Sequence, residues 1–124
     1  MEGYVKKVGF EHLAEIIPFA KADNITHLPE CEFLAYYIKD KLIATVGWTT
    51  HKNKFVLRND FVLKEYRGQG IYEKLHKMRV NLLQPLGKKV LEIRCTPMSY
   101  RLHKRLGAVP IKRYKNSIHL NYYL

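Results

Sequence analysis

Residues 60–75, reading DFVLKEYRGQGIYEKL, constrain this chain more than any other stretch. Phe61, Val62 and Leu63 have strand character, a short charged turn follows, and Arg67-Gly68-Gln69-Gly70 then opens a segment with helical periodicity. A strand, a glycine-rich turn and a helix in that order leave main-chain N–H groups free at the positive end of a helix dipole. Glycines let an anion approach those groups closely, and a pyrophosphate fits such a site. Two nucleotide motifs are excluded. The P-loop requires lysine and then Ser or Thr after its last glycine, and the dinucleotide fingerprint requires a third glycine where this chain carries Glu73.

The segments on either side fix the order of elements. Tyr4 to Val8 alternates weakly and reads as a strand. EHLAEIIPFAKA, from Glu11, sets Leu13, Ile16, Ile17 and Ala20 on one helical face, with Pro18 expected to kink or end the helix. Glu32 to Lys39 and Leu42 to Thr50 form a hairpin about Asp40-Lys41, with Gly47 a bulge position, and Phe55 to Leu63 is a fourth strand. The helix after Gly70 carries Ile71, Leu75, Met78 and Leu82 on its apolar face, and Lys74, Lys77 and Arg79 on a face expected to meet solvent or phosphate. Lys89 to Cys95 is a fifth strand. Thr96 and Pro97 suit the N-cap and first position of a helix from Met98 to Leu106, and Gly107 suits its C-terminal stop. Val109 to Lys115 and Ile118 to Leu124 close the sheet.

The stretch about Gly68 and Gly70 resembles motif A of the GNAT superfamily of acyl-CoA N-acyltransferases. Val62, Glu65, Tyr66, Arg67, Gly68, Gly70 and Ile71 fall in its register, while Lys64 replaces a proline and Tyr72 a small residue. Residues 96–108, TPMSYRLHKRLGA, are similar in spacing to motif B, with Ser99, His103 and Gly107 at its alanine, tyrosine and glycine positions. The resemblance implies one α/β domain over residues 1–124: a mixed, mainly antiparallel sheet of six or seven strands flanked by helices. Acetyl-CoA would lie as co-substrate in a cleft between the fourth and fifth strands, and no metal is implied. Phe61, Val62 and Leu63 would hold the pantetheine, and Arg67, Gly68, Gln69, Gly70, Ile71 and Tyr72 the pyrophosphate, with Thr96 a further cofactor-binding residue. Tyr72 is expected to turn outward, because the two glycines already supply the close approach.

The reaction so implied is direct attack of an amine on the thioester. His103 stands at the position of the family's proton donor, where an imidazolium would protonate the leaving thiolate. A structural histidine with proton transfer left to solvent is the alternative, and Tyr100, three residues earlier, is the substitute acid. Asp60 shares a strand face with Val62 and is the candidate base, with Glu92 and His51 as rivals.

Charge bears on the acceptor. The chain carries 22 Lys+Arg against 11 Asp+Glu, a net +11, which repels polycations and attracts anions. A small-molecule or protein amine is the expected acceptor, with a nucleic acid as a further acceptor or docking partner. Two other readings stand: a small basic nucleic-acid-binding module, and a CoA-binding GNAT fold without catalysis. No apolar run approaches the roughly 18 to 20 residues of a membrane span, and the first residues lack a secretory core. A cytoplasmic monomer or homodimer is expected, with Cys31 and Cys95 as reduced, buried thiols.

Overall fold

The computed structural model describes residues 3–124. The chain runs through Tyr4–Val8 (β1), a 3-10 turn at Phe10–His12, Ile17–Ala22 (α1), Glu32–Ile38 (β2), Lys41–His51 (β3) and Lys54–Val62 (β4). A 3-10 turn at Lys64–Tyr66 then leads into Ile71–Leu83 (α2), followed by Val90–Cys95 (β5), Pro97–Arg105 (α3), Val109–Arg113 (β6) and Ile118–Tyr123 (β7). The strands form one sheet in the order β1-β2-β3-β4-β5-β7-β6. Every neighbouring pair is antiparallel except β4 with β5. The α/β architecture, with a mainly antiparallel seven-stranded sheet flanked by helices, is the one expected. No helix among the described residues is long and apolar enough to cross a membrane.

Three elements depart from their expected form. The helix foreseen from Glu11 is split into the 3-10 turn and a short α1, in which Pro18 occupies the first turn, where its missing N–H breaks no helical bond. The β2–β3 hairpin turns on Lys39 and Asp40, both at positive φ, one residue earlier than the sequence suggested. The buried face of α2 is Ile71, Leu75, His76, Arg79 and Leu83, whereas Met78 and Leu82 are 39% and 40% exposed. Arg79, expected to meet solvent or phosphate, has no exposed surface, because a carboxylate on β4 draws it inward.

That carboxylate is Asp60. Between the pairs Thr45↔Phe61 and Gly47↔Arg58, two steps along β3 face three along β4, so β4 carries a bulge at Asn59–Asp60. Gly47 must be glycine here, since a Cβ would stand 2.6 Å from the Arg58 carbonyl oxygen. Arg79 Nη1 and Nη2 donate to Asp60 Oδ1 and Oδ2 at 2.7 and 2.9 Å. Gly47 N donates to Oδ1 at 3.1 Å, and Arg79 Nη1 also reaches the Gly47 carbonyl at 3.0 Å. One fork therefore ties α2 to both strands across the bulge. On the far side of β4, pairing to β5 is confined to Phe55↔Leu91 and Val56↔Glu92, after which the two strands part.

Such a pair gains little over an apolar contact, yet breaking it strands a desolvated charge. Asp60→Ala should cost about 3–5 kcal/mol of unfolding free energy in a urea titration. Arg67→Ala, which opens the exposed 2.6 Å pair with Asp23, should cost about 1 kcal/mol or less. Equal losses from the two variants would contradict the bracing role of Asp60.

Candidate active site

Where β4 and β5 part, a cavity of about 910 Å³ opens. Its walls are Leu57 and Asn59 to Val62 from β4, Arg94 and Cys95 from β5, the loop Asp23 to Thr26, Arg67, Tyr72, and the α3 side with Thr96, Ser99 and His103. The outer edge of each strand is taken by β3 or β7, so the inner main-chain edges face the cavity. Asn59 ties the α1–β2 loop to this wall by donating to the Thr26 carbonyl at 2.7 Å and accepting from Leu28 N at 3.1 Å.

At one end of the cavity lies the glycine turn. Gly68 and Gly70 adopt φ of +77° and +80°, and the second caps α2. Added Cβ atoms would meet nothing, so it is the left-handed backbone rather than crowding that requires glycine. Lys74 N makes the first helical bond, to the Gly70 carbonyl. The N–H groups of residues 68–73 have no acceptor among the described residues, and no side chain caps the helix. Arg67 is held beside them, with Nε donating to the Val62 carbonyl at 2.8 Å and Nη2 to Asp23 at 2.6 Å.

No protein-family model and no curated protein sequence matches this chain. Solved structures do. The PaiA N-acetyltransferase of Thermoplasma acidophilum, determined with coenzyme A, superposes at a TM-score of 0.83 and 12% identity over all of both chains. The ribosomal-protein-S18-alanine N-acetyltransferase of Escherichia coli gives 0.80 at 13% identity, over 98% of this chain and 94% of that one. The GNAT domain of PAT from S. lividans gives 0.77 at 14% identity, over 98% and 90%.

The chain has the GNAT fold.

Within the GNAT cleft, Asp60, Phe61, Val62, Arg67, Tyr72, Thr96 and His103 all reach the cavity wall. Leu63 does not: its side chain is buried and its N–H pairs with the Ile43 carbonyl. Gly68, Gln69 and Gly70 stand beyond the wall with exposed backbone, and Ile71 packs into the core. Thr96 precedes α3 in extended conformation, but its hydroxyl meets Ser99 Oγ at 3.2 Å and makes no cap bond. Tyr100 is off the cavity wall, its ring lying 5.9 Å from both Lys104 Nζ and the Arg113 guanidinium. Glu92 and His51 line a separate hollow of about 330 Å³. Partial burial raises the Glu92 carboxyl, but a 3.0 Å bond from Lys54, with His119 and Arg94 nearby, outweighs it and holds the group below its usual range.

Two expectations are corrected. Tyr72 turns inward, donating to Asp60 Oδ2 at 2.5 Å, because the partly buried carboxylate has an acceptor left over after Arg79. Asp60 is consequently unsuited to take a proton from an amine: its oxygens already accept from Arg79, Gly47 and Tyr72.

Behind the wall lies a polar cluster that sequence reasoning missed. Tyr72, His76 and Arg79 recur at i, i+4 and i+7 on α2, a polar stripe that marks one buried face once the apolar stripe is read one residue over. His76 Nδ1 stands 2.8 Å from Arg79 Nη2, and its ring packs 4.4 Å from Tyr122. His103 Nδ1 meets Tyr122 Oη at 2.7 Å, while the buried His76 Nε2 finds no partner among the described residues. Burial lowers the His103 pKa, with Asp60 opposing and Arg79 reinforcing, so the resting ring is neutral rather than the imidazolium expected. Burial, reinforced by Arg79, takes His76 to about 3, and burial also lowers His27.

These three histidines bind protons in the unfolded chain near pH 6.5 but resist them when folded. Their contribution is complete above that value and is lost as pH falls toward the lowered folded pKa, about 3 for His76. Unfolding free energy should thus drop between about pH 7 and about pH 5, by at most about 1.4 kcal/mol per pH unit for each histidine. A urea midpoint unchanged over that interval would contradict neutral burial.

Proposed function

We propose that the protein is an N-acyltransferase that moves an acyl group, acetyl foremost, from acyl-CoA to a primary amine. The observation that carries this reading is the run of unpaired N–H groups from Gly68 to Glu73, set at a helix N-terminus at the end of a cleft between two splayed parallel strands. Those donors suit a diphosphate. The inner edges of β4 and β5 suit the amides of a pantetheine arm laid between them, except for the Val62 carbonyl, which Arg67 occupies. The GNAT fold, and the coenzyme A bound by the Thermoplasma PaiA enzyme, support the same reading.

The thioester supplies an acyl group activated for direct attack, so the protein's task is to position it and to move one proton. As the new C–N bond forms and the C–S bond breaks, the amine must lose a proton and the sulfur must gain one. His103 suits both halves. Its neutral ring accepts at Nε2 and, as an imidazolium made more acidic by burial, hands the proton on to sulfur, while the Nδ1 contact with Tyr122 fixes the ring. Asp60 and Arg79 hold the wall in shape and take no proton. Tyr72 narrows the cleft where other members of the fold carry a small residue, which favours a short acyl chain.

Acetyl-CoA should raise the melting temperature. Gly70→Val should abolish that rise, whereas Gly87→Val, equally strained at φ +86° but away from the cleft, should keep it. Retention in the Gly70 variant would sink the loop assignment. Thiol release from acetyl-CoA in the presence of an amine panel then tests the chemistry. His103→Ala should slow turnover about 100-fold or more without loss of the CoA-induced thermal shift. Because the neutral ring is the working form, the histidine limb of the kcat profile should fall on the acid side, below pH 6.5. A rate that declines instead as this group deprotonates would establish an imidazolium acid and overturn the shuttle.

A further inference from the structure

We propose that the open face of the β4-β5-β7-β6 half-sheet is a docking surface for a single-stranded nucleic acid. The first observation is charge segregation. No acidic residue follows Glu92, whereas residues 93–124 contain Arg94, Arg101, Lys104, Arg105, Lys112, Arg113 and Lys115. Only Arg105 is answered, by Glu73 at 3.1 Å; the other six form no ion pair among the described residues.

Strand register places two of these charges, Arg94 and Lys112, on this face. Val56, Glu92 and Asn121 are successive cross-strand partners, as are Arg94, His119 and Lys112, so all six share one face. The alternate residues Phe55, Leu91, Ile93, Leu120 and Tyr122 are buried on the other. Arg94 and Lys112 are exposed, and the one carboxylate of this face, Glu92, is already met by Lys54 at 3.0 Å with His119 beside it. What remains is a polar, net-positive surface.

The second observation is aromatic. Tyr114, 37% exposed, carries the Arg94 guanidinium 4.8 Å and the Lys112 ammonium 5.2 Å from its ring centroid. With no carboxylate available, the cations rest on the ring. Phosphates would draw them off and free the ring to stack a base, the combination of backbone charge and stacking platform that binds single strands. A second copy of this chain would bring the same positive field and is repelled. An acidic protein would satisfy the cations without the regular base stack that a single strand brings to Tyr114. The proposal does not depend on catalysis in the cleft.

Fluorescence anisotropy with labelled oligo(U) and oligo(dT) of about 20 nucleotides, a duplex of equal length and polyglutamate is the test. Both single strands should bind more tightly than the duplex or polyglutamate; preference between the two single strands distinguishes RNA from DNA. With about three phosphates neutralised, affinity should fall roughly 20-fold from about 50 to about 200 mM salt. Lys112→Glu should weaken binding and flatten that dependence, and Tyr114→Ala should weaken it about fivefold or more. Both variants should keep the CoA-induced thermal shift, which verifies their folding. The proposal is overturned by no binding at about 50 mM salt, by binding to polyglutamate or duplex as tight as to single strands, or by unchanged affinity in the two folded variants.

Discussion

The contact between Asp60 and Arg79 is the one on which the rest of this structure depends. A guanidinium without solvent exposure persists only where a carboxylate and neutral acceptors receive its protons, and here Asp60 and the Gly47 carbonyl do so from neighbouring strands. The bulge at Asn59–Asp60 presents that carboxylate to α2, and α2 in turn pins the bulge. With β4 held in this bent course, its hydrogen bonding to β5 ends after two residue pairs. The cleft is therefore a consequence of a local defect in strand pairing that a buried ion pair keeps in place. Tyr72 belongs to the same network, so the floor of the cleft and its brace are one unit.

That arrangement also sets the electrostatics of the wall. Arg79 adds a fixed positive charge beneath His76 and His103, and burial strips both rings of solvent. Burial is the larger effect at both rings and keeps them neutral; Arg79 reinforces it at His76, whereas at His103 the Asp60 carboxylate opposes it more than Arg79 adds. Outside the core the charge is distributed unevenly along the chain. Every acidic residue lies at or before Glu92, so the cations of α3 and β6, Arg105 apart, have no carboxylate partner among the described residues. A free helix N-terminus suited to an anion and a positively charged surface thus occur in the same small protein for separate reasons.

Much of this was legible in the sequence because it rests on local rules. Glycines at 68 and 70 between an apolar run and a helical repeat specify a free helix N-terminus, and the alternation of strand and turn residues specifies the meander. Cys31 and Cys95 are indeed buried free thiols. What escaped the reading depends on contacts between distant segments. Arg79 and His76 look like solvent residues until Asp60, 19 positions from the arginine, is known to face them. The phase of α2 was misread for the same reason, since a buried arginine displaces the apolar stripe and leaves Met78 and Leu82 partly exposed. Strand parity with Val62 offers Asp60 as a base, but parity says nothing about which donors already occupy a carboxylate.

Amide hydrogen exchange, resolved at single residues with and without coenzyme A, tests the central claim most directly. The N–H groups of residues 68–73, without acceptors among the described residues, should become donors to the bound diphosphate. Their exchange should slow markedly on saturation, together with amides lining the cleft on β4, while β1 and β2 are unchanged. Coenzyme A that binds yet leaves residues 68–73 exchanging at the rate of the free protein would contradict it.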